Sequence, residues 1–286
     1  METLEKQETM GLFRYSIVVV DNDCKESAKE TVAKAQRISS VSILYDVEPE
    51  QNISLARNKA LKIADSDFFA CIDDDEFASA EWLVHLYKAA KEYAADGVLG
   101  PVLPFYEIPP PAWVTKGAFF YRKSFPTGRL LRSEESMRTG NFMISKKMIQ
   151  ESKNLFNPEF GLTGGEDSDF FKRMVIKNYS FVWCQEALVY ETIPSTRLTR
   201  SYLLKRALLR GVSAAERASF MSFDTLKSFV AFLSYTPILP FLLLFRHHVF
   251  LRYLISDFDH IGKLMARCGI KTKMRWSNLA PPGLQG

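Results

Sequence analysis

The sequence predicts an α/β fold with a doubly wound mixed sheet, followed by a helical extension. In the first 103 residues, short runs rich in β-branched and aromatic residues alternate with longer runs whose apolar residues recur at helical spacing. Such alternation is typical of βαβ units, which build a sheet covered by helices. After residue 196 the alternation ends, and basic and apolar helical segments follow. We therefore expect an α/β domain over residues 1–196 and a helical region over residues 197–286.

Four strands and three helices are predicted in the first 103 residues. The first strand, residues 15–20, reads YSIVVV, a continuous β-branched run typical of a strand buried on both faces. The other strands are predicted at residues 42–45, 67–72 and 97–103. The helices between them are predicted at residues 25–38, 53–64 and 80–95, the last of them capped by Ser79.

The middle of the chain interrupts this pattern. Five prolines between residues 101 and 111 break the alternation, and residues 104–126 hold seven aromatic side chains. A long Pro-rich connection is usually functional or disordered, and the aromatic residues favour an ordered loop. Residues 139–148 then predict a strand and a turn, and residues 181–190 form another apolar run.

Composition and charge exclude several classes of protein. The chain is 47% hydrophobic and 24% charged, with 14 Gly and 13 Pro, which excludes a disordered chain, a collagen-like repeat and a small disulfide scaffold. A net charge of +4 is too small to indicate a nucleic-acid partner. The four scattered cysteines and the absence of an apolar run at the N-terminus predict a reducing cytosolic compartment without a signal peptide.

The charge is distributed unevenly along the chain. Residues 197–286 hold 14 Lys/Arg and 4 Asp/Glu, whereas residues 1–196 hold 23 and 29. Within the basic part, residues 228–245 form an 18-residue run without a charge, bounded by Lys227 and Arg246, which meets the lower limit for a membrane-spanning helix. Pro237 and Pro240 favour a kinked, re-entrant or surface-lying segment, and a buried pair of soluble helices is the alternative. We expect membrane contact here.

Three consecutive carboxylates follow the strand predicted at residues 67–72. Asp73, Asp74 and Asp75 lie at its carboxyl end, where ligands bind in open α/β sheets. Adjacent carboxylates repel one another, so a positive group is expected beside them. Mg²⁺ or Mn²⁺ fits, because these ions take one or two carboxylates together with the phosphates of a ligand. The alternative is an acidic turn that faces water.

A second cluster of carboxylates begins the helix predicted at residues 168–177. Gly164 and Gly165 precede Glu166 and Asp167, so the backbone there can approach a ligand closely. One carboxylate is a candidate general base for an attacking hydroxyl. The alternative is a glycine turn and a helix start stabilised by acidic side chains.

Three further side chains are candidate ligand contacts. Asp21 ends the first strand and could accept hydrogen bonds from a bound base. Arg57 and Asn58 lie near the start of the second predicted helix, where a guanidinium could reach a phosphate of a bound nucleotide.

Together these segments resemble the family 2 glycosyltransferases. The resemblance is carried, in order, by VVVDND, EPEQNISLARNKAL, FFACIDDDEFASAEWL, TGNFMIS and FGLTGGEDSDFFKRM, between about residues 12 and 212. Among these enzymes the chain is most similar to bacterial ones that extend lipid-linked exopolysaccharide repeat units, such as the succinoglycan glucosyltransferases. The resemblance implies the GT-A fold with a Rossmann-like nucleotide-binding half. It also implies transfer of a sugar from a nucleotide sugar, usually a UDP-sugar, with inversion at the anomeric carbon.

The resemblance also implies a role for individual residues. Asp21 matches the aspartate that contacts the base. Asp73 and Asp75 match the outer positions of the D-x-D motif, with Asp75 the better candidate for direct metal contact. Asp167, next to Glu166, matches the catalytic base. The basic helix after residue 196 matches a segment that touches diphosphate or acceptor. The basic residues of this helix are Arg197, Arg200, Arg206 and Arg210. The alternative is a helix that faces solvent or lipid headgroups.

The beginning of the chain departs from the family pattern. Family members carry a further strand about two dozen residues before VVVDND, and METLEKQETMGLF resembles the end of the helix that follows it. That strand is normally central in the sheet. We therefore expect an unpaired gap in the sheet beside the strand at residues 15–20.

The predicted function is an inverting, metal-dependent glycosyltransferase at the cytoplasmic face of the bacterial inner membrane. It would add one sugar to a lipid-linked glycan in exopolysaccharide or cell-surface polysaccharide synthesis. The expected partners are a nucleotide sugar, a lipid-linked glycan acceptor and the membrane surface, without nucleic acid. Two alternatives stay open: a Mg²⁺-dependent phosphotransferase or hydrolase, for which a phosphate-cradling Gly-rich loop is missing, and a truncated, inactive sugar-nucleotide binding protein.

Overall fold

The computed structural model describes residues 1–132, 137–150, 155–162, 164–216, 223–245 and 247–270. The chain forms two compact units. The first unit comprises Met1–Pro104 and Arg122–Glu191, and the second comprises Phe105–Tyr121 and Thr192–Gly286. Most of the proline- and aromatic-rich connection therefore belongs to the second unit, and it is ordered, as its aromatic residues predicted.

Strands and helices alternate in the first hundred residues as predicted. The strands are β1 Ile17–Asp21, β2 Ile43–Val47, β3 Phe68–Ile72, β4 Glu76–Ala78, β5 Gly97–Leu99, β6 Val102–Tyr106, β7 Leu130–Leu131, β8 Asn141–Ser145, β9 Phe181–Trp183 and β10 Val189–Ile193. The helices are α1 Glu2–Glu5, α2 Lys29–Ile38, α3 Ile53–Ile63, α4 Trp82–Glu92, α5 Ala112–Gly117, α6 Lys146–Gln150, α7 Glu166–Ile176, α8 Arg200–Glu216, α9 Phe223–Tyr235, α10 Leu239–Phe245 and α11 His247–Arg267.

The strands form three hydrogen-bonded sheets. The largest has the order β3-β8-β5-β9-β7, and a second has the order β4-β10-β6. In the largest sheet β5 and β9 are parallel, whereas β8 runs antiparallel to both β3 and β5, and β7 runs antiparallel to β9. The predicted mixed sheet is therefore confirmed. Strands β1 and β2 form a separate parallel pair.

The gap expected beside the first strand is present. In the described part of the chain, β1 pairs with β2 but with no strand of the five-stranded sheet. Side-chain packing from the N-terminal segment connects the two sheets instead. Leu4 packs against the apolar cluster under β1 and also against the cluster beneath α4. The amide of Gln7 donates to the carbonyl oxygen of Ser79 at 2.7 Å and accepts from the backbone N–H of Leu83 at 3.1 Å.

One predicted strand and one apolar run are each divided into two strands in the structure, and Asn141 bonds to the chain at both divisions. Residues 97–103 contain β5 and β6, and residues 181–190 contain β9 and the start of β10. Asn141, which is 2% exposed, donates from its amide to the carbonyl oxygens of Pro101 (2.9 Å) and Ala187 (2.7 Å). The carbonyl oxygen of Pro101 also accepts from the N–H of Val189 at 3.2 Å, and Pro101 has no N–H to donate to a continuous ladder. The buried amide of Asn141 thus finds its hydrogen-bond partners at the two divisions.

An aromatic core fixes α7 against the five-stranded sheet. Phe170 of α7 packs on Phe156 with a ring separation of 4.7 Å, and Phe171 packs edge-on against Phe181 of β9 at 5.4 Å. All four rings are fully buried. Large buried rings in such offset or edge contacts stabilise a core strongly, so the first turn of α7 is held on a rigid base.

In the second unit, α8 and α11 cross at very short range. A Cβ atom on Gly211 would lie 2.0 Å from the carbonyl oxygen of Asp259, and one on Gly262 would lie 2.2 Å from that of Leu208. The long uncharged run at residues 228–245 is divided into most of α9 and all of α10. None of the helices in the described ranges combines the length and the apolar character needed to cross a membrane.

Candidate functional site

Asp21 lies at the carboxyl end of β1, as predicted, and is 7% exposed. Its Oδ2 atom accepts a hydrogen bond from the hydroxyl of Tyr45 (2.9 Å) and another from the backbone N–H of Ala28 (2.8 Å). Burial and the bond to Asp21 raise the pKa of Tyr45 to about 12, so its hydroxyl stays a donor at neutral pH. These bonds fix the orientation of the carboxylate, and its predicted contact with a bound base stays a prediction.

Arg57 brings two of the predicted carboxylate clusters together. One nitrogen of its guanidinium donates to Oδ1 of Asp73 at 3.0 Å, and another donates to Oε1 of Glu166 at 2.8 Å. The side chains of Arg57 and Glu166 are only 13% and 11% exposed. Burial opposes the charge of Arg57, but the two carboxylates outweigh it and raise the pKa of the guanidinium. The acidic turn after β3 and the first turn of α7 therefore share one cation.

Asn58 has a structural role in this arrangement. Its amide donates to the carbonyl oxygen of Phe156 at 2.7 Å and accepts from the N–H of the same residue at 2.9 Å. The ring of Phe156 lies 5.6 Å from the guanidinium carbon of Arg57. Asn58 thus places the ring against which Arg57 packs. Its predicted contact with a bound donor stays a prediction, as does a contact between Arg57 and a phosphate.

The acidic turn after β3 has an exposed side and a buried side. Asp74 is exposed, whereas Asp73 and Asp75 are partly buried. Glu76 follows as a fourth acidic residue, and the sequence analysis did not predict it as a site residue. Its side chain accepts a hydrogen bond from the N–H of Asp73 at 3.1 Å. Burial, together with the charge of Asp73, raises the pKa of Glu76 to about 9.

Gly140 leaves room for the carboxyl group of Glu76. A Cβ atom at position 140 would lie 2.6 Å from Oε1 of Glu76. The TGN sequence at residues 139–141 therefore supplies a glycine beside Glu76 and, one residue later, the amide of Asn141 that divides the strands.

The two glycines before α7 have a left-handed backbone. Gly164 has φ 77° and Gly165 has φ 100°, values that side chains with a Cβ rarely adopt. They aim the first turn of α7, which begins with Glu166 and Asp167. Oδ1 of Asp167 accepts from the N–H of Ser168 at 2.7 Å, and its side chain is 18% exposed. Oδ2 lies 3.9 Å from Nε of Arg138, which the sequence analysis missed.

Asn52 is a further residue that the sequence analysis missed. Its Oδ1 atom caps α3 by accepting from the N–H groups of Ser54 and Leu55, and its amide donates to the carbonyl oxygen of Pro158 at 2.9 Å. A Cβ atom on Gly161 would lie 1.7 Å from Oδ1 of Asn52. The start of α3, which carries Arg57, is thereby fixed to the segment that leads into α7. The signal was an Asn directly before a helical run.

The acidic turn after β3 is the place where the sequence predicts Mg²⁺ or Mn²⁺. Within the described ranges, no group of three or more His, Cys, Asp or Glu side chains is arranged to hold a metal ion. Mg²⁺ and Mn²⁺ need fewer protein ligands when phosphate oxygens and water complete the shell. Asp73 and Asp75 carry carboxylate oxygens of the kind that these ions prefer, and Oδ1 of Asp73 accepts from Arg57, so the metal site stays a prediction.

Two of the predicted basic residues, Arg200 and Arg210, have partners within the second unit. Arg200 bonds to Nε2 of His247 at 3.2 Å and lies 5.2 Å from the ring of Trp113. Arg210 donates to Oδ1 of Asp259 at 2.7 Å. The role predicted for the basic helix, contact with diphosphate or acceptor, stays a prediction.

Comparison with known proteins identifies the family. The family model for glycosyl transferase family 2 matches residues 2–152. Succinoglycan biosynthesis protein ExoM of Rhizobium meliloti (strain 1021) is 33% identical over 216 residues, which cover 73% of this chain and 68% of ExoM. Crystal structures of residues 1–349 of S. aureus TarS, in complex with UDP and with UDP-GlcNAc, share the fold. Each is 16% identical to this chain with a TM-score of 0.50, and the match covers 94% of this chain and 86% of TarS 1–349. The chain therefore belongs to glycosyltransferase family 2.

Proposed function

We propose that the protein is an inverting glycosyltransferase that moves a sugar from a UDP-sugar to a hydroxyl of a lipid-linked glycan. The observation that carries the proposal is the double ion pair of Arg57, which joins the acidic turn at Asp73 to Glu166, beside Asp167. The turn and the start of α7 therefore form one site, as a donor site and a catalytic base require. The name of ExoM supports a role in exopolysaccharide synthesis. The nucleotides bound to TarS support a UDP-sugar.

The proposal gives each carboxylate a different task. The fixed carboxylate of Asp21 receives hydrogen bonds from the base of the nucleotide. Asp75 and Asp73 would hold Mg²⁺ or Mn²⁺, which would offset the negative charge of the diphosphate. Asp167 takes the proton of the acceptor hydroxyl while the acceptor oxygen attacks the anomeric carbon from the face opposite the diphosphate. The bond to the diphosphate breaks as the new bond forms, which inverts the configuration.

The structure separates the two adjacent carboxylates of α7. Glu166 is bound to Arg57 and nearly buried, so its charge is used within the protein. Asp167 accepts from Ser168 and lies 3.9 Å from Arg138, and its side chain is more accessible. We therefore assign the base to Asp167 and a positioning role to Glu166. We place the enzyme at the cytoplasmic face of the bacterial inner membrane, where a lipid-linked acceptor and cytosolic nucleotide sugars meet.

The first prediction tests the base. Asp167→Asn removes the proton acceptor but keeps the size and the hydrogen bond to Ser168, so we expect UDP affinity to change less than threefold and transfer to fall about 10²- to 10⁴-fold. Sugar transfer to a lipid-linked acceptor and UDP binding by calorimetry measure the two effects. Asp169→Asn, on the same turn, is the matched control.

Two outcomes would count against this proposal. Equal losses of binding and transfer in Asp167→Asn would show that the residue supports the donor site instead of acting as base. UDP-sugar binding by the wild-type protein without transfer to any glycan acceptor would instead support the sugar-nucleotide binding protein that the sequence left open.

A further inference from the structure

Helices α9 and α10 turn large apolar side chains toward solvent. In α9, Leu226, Val230 and Leu233 are 59%, 54% and 55% exposed. Their spacing of four and three residues places them on one face of the helix. In α10, Phe241 and Leu244 are 68% and 77% exposed. This is the reverse of a soluble amphipathic helix, in which such a stripe packs on the core.

The side of α9 that faces the protein includes a polar residue. Ser228 is 2% exposed, although it lies between the outward-facing Leu226 and Val230 in sequence. Past the end of α9, the hydroxyl of Thr236 donates to Oδ2 of Asp257 in α11 at 3.2 Å. Tyr235 packs edge-on against Tyr253 of α11 at 5.3 Å. These contacts hold the bend between α9 and α10 on α11 and leave the apolar stripe outside.

The dimensions of the two helices suit a surface-lying segment. The 13 residues of α9 span about 20 Å and the 7 residues of α10 about 10 Å, each less than the ~30 Å of a bilayer core. An amphipathic helix lying in the plane of the membrane inserts its apolar face only as far as the boundary between headgroups and acyl chains. Residues 236–238 divide the apolar run into these two short helices, and each of them exposes apolar side chains.

The charges of the second unit complement an anionic surface. Residues 197–286 hold 14 Lys/Arg and 4 Asp/Glu. Two of these acidic residues are turned inward on α11: Asp257 is 3% exposed, and Asp259 is ion-paired with Arg210 and Lys263. Lys227 lies exposed beside the stripe on α9. Basic side chains beside an apolar stripe attract anionic lipid headgroups.

We propose that the apolar face of α9 and α10 docks into the interface of an anionic lipid bilayer. The face, called here the α9–α10 face, consists of Leu226, Phe229, Val230, Leu233, Ile238, Phe241, Leu243 and Leu244. This inference deepens the proposed function. It rests on that function in one respect: a lipid-linked acceptor lies in a membrane, which gives the enzyme a reason to bind there. The apolar side chains supply the burial, and the flanking basic residues select anionic lipid.

Vesicle sedimentation with the full chain tests the proposal. The probes are vesicles of phosphatidylcholine alone and vesicles of equal parts phosphatidylcholine and phosphatidylglycerol. We expect the protein to bind the anionic vesicles. Added salt should weaken this binding but not abolish it, because part of the attraction is apolar. Phe241→Ser/Leu244→Ser should reduce the partition coefficient at least about tenfold, because two large side chains no longer enter the bilayer. Ile38→Ser/Ile176→Ser, which removes two exposed apolar side chains of the first unit, is the matched control and should bind as wild type does.

Several results would overturn the proposal. The wild-type protein could fail to bind anionic vesicles, or Phe241→Ser/Leu244→Ser could bind them as well as the wild-type protein does. A lipid-free dimer in light scattering that this variant lacks would assign the face to a second copy of the chain.

Stabilisation by UDP separates this proposal from the proposed function. UDP should stabilise Phe241→Ser/Leu244→Ser as much as it stabilises the wild-type protein if the fold of the variant is intact. Vesicle binding without any UDP stabilisation in the wild-type protein would reject the donor site and leave the docking surface standing.

Discussion

At the scale of single residues, the buried ion pair between Arg57 and Glu166 makes the sharpest prediction for stability. Arg57→Met keeps much of the apolar stem but leaves Glu166 buried without its cation, and breaking such a pair costs about 3–5 kcal/mol. We expect the free energy of unfolding in urea to fall by this amount. The double variant Arg57→Met/Glu166→Gln should recover part of the loss, because no charge is then left buried and unpaired at Glu166.

The control for Arg57 is an exposed ion pair. Lys146 and Asp65 lie 2.8 Å apart, but their side chains are 41% and 91% exposed, so Lys146→Met should change stability little. If Arg57→Met cost no more than Lys146→Met, the shared ion pair would not form in solution. If the double variant were no more stable than Arg57→Met, the loss would come from packing on Phe156 instead of from the charge.

The sequence predicted where the carboxylates lie on the elements, but not their contacts. Asp21 ends β1, Asp73 follows β3 and Asp167 lies in the first turn of α7, whereas their roles toward a ligand stay predictions. The bonds of Arg57 could not be predicted, because its partners lie 16 and 109 residues away along the chain. No local pattern encodes which carboxylate a guanidinium reaches once the chain has folded.

At the scale of elements, the crossing of α8 and α11 predicts an unusual response to alanine. Replacing a helical glycine by alanine normally stabilises a helix by about 1 kcal/mol. At Gly262 the new Cβ atom would lie 2.2 Å from the backbone oxygen of Leu208, which cannot move without the helix. We therefore expect Gly262→Ala to destabilise the second unit by about 1–3 kcal/mol, as overpacking does. Thermal unfolding followed by helical circular dichroism measures it.

A matched substitution on α8 shows whether the crossing is the cause. Ser201 is an exposed residue of α8, so Ser201→Ala should leave the melting temperature unchanged or slightly raised. A rise in melting temperature for Gly262→Ala would mean that the two helices do not approach as closely as the structure shows.

Elements with a strong local period were predicted, and short ones were not. The runs that became β1, β2 and β3 are apolar and bounded by polar segments, so the pattern alone predicts them. Strands β4 and β7 have only three and two residues and exist because a neighbouring strand pairs with them. Likewise, β5 and β6 are divided at Gly100 and Pro101, where the carbonyl oxygen of Pro101 bonds to the distant side chain of Asn141, and a strand propensity cannot register that bond.

At the scale of the whole molecule, the contrast between an acidic and a basic half predicted two roles, and the structure contains two compact units. The sequence could not predict that residues 105–121 join the second unit, because a loop rich in proline and aromatic residues packs wherever its rings find apolar partners. Val114 and Phe120 find them in a cluster with Ile193 and Leu198. Chain order alone does not encode this assignment.

The last prediction concerns the whole molecule as a donor-binding protein. A ligand that binds only the native state raises stability by about 2.7 kcal/mol at 100 times its Kd, or roughly 5–10 °C in melting temperature for a domain of this size. We expect UDP with Mn²⁺ to produce such a shift, and EDTA to reduce it. Asp75→Asn should lose the metal-dependent part, whereas Asp74→Asn should keep it, because Asp74 points into solvent on the same turn. A UDP shift that EDTA leaves intact would contradict a metal-bridged diphosphate, and the absence of any shift with UDP, GDP or dTDP would contradict a nucleotide-sugar donor.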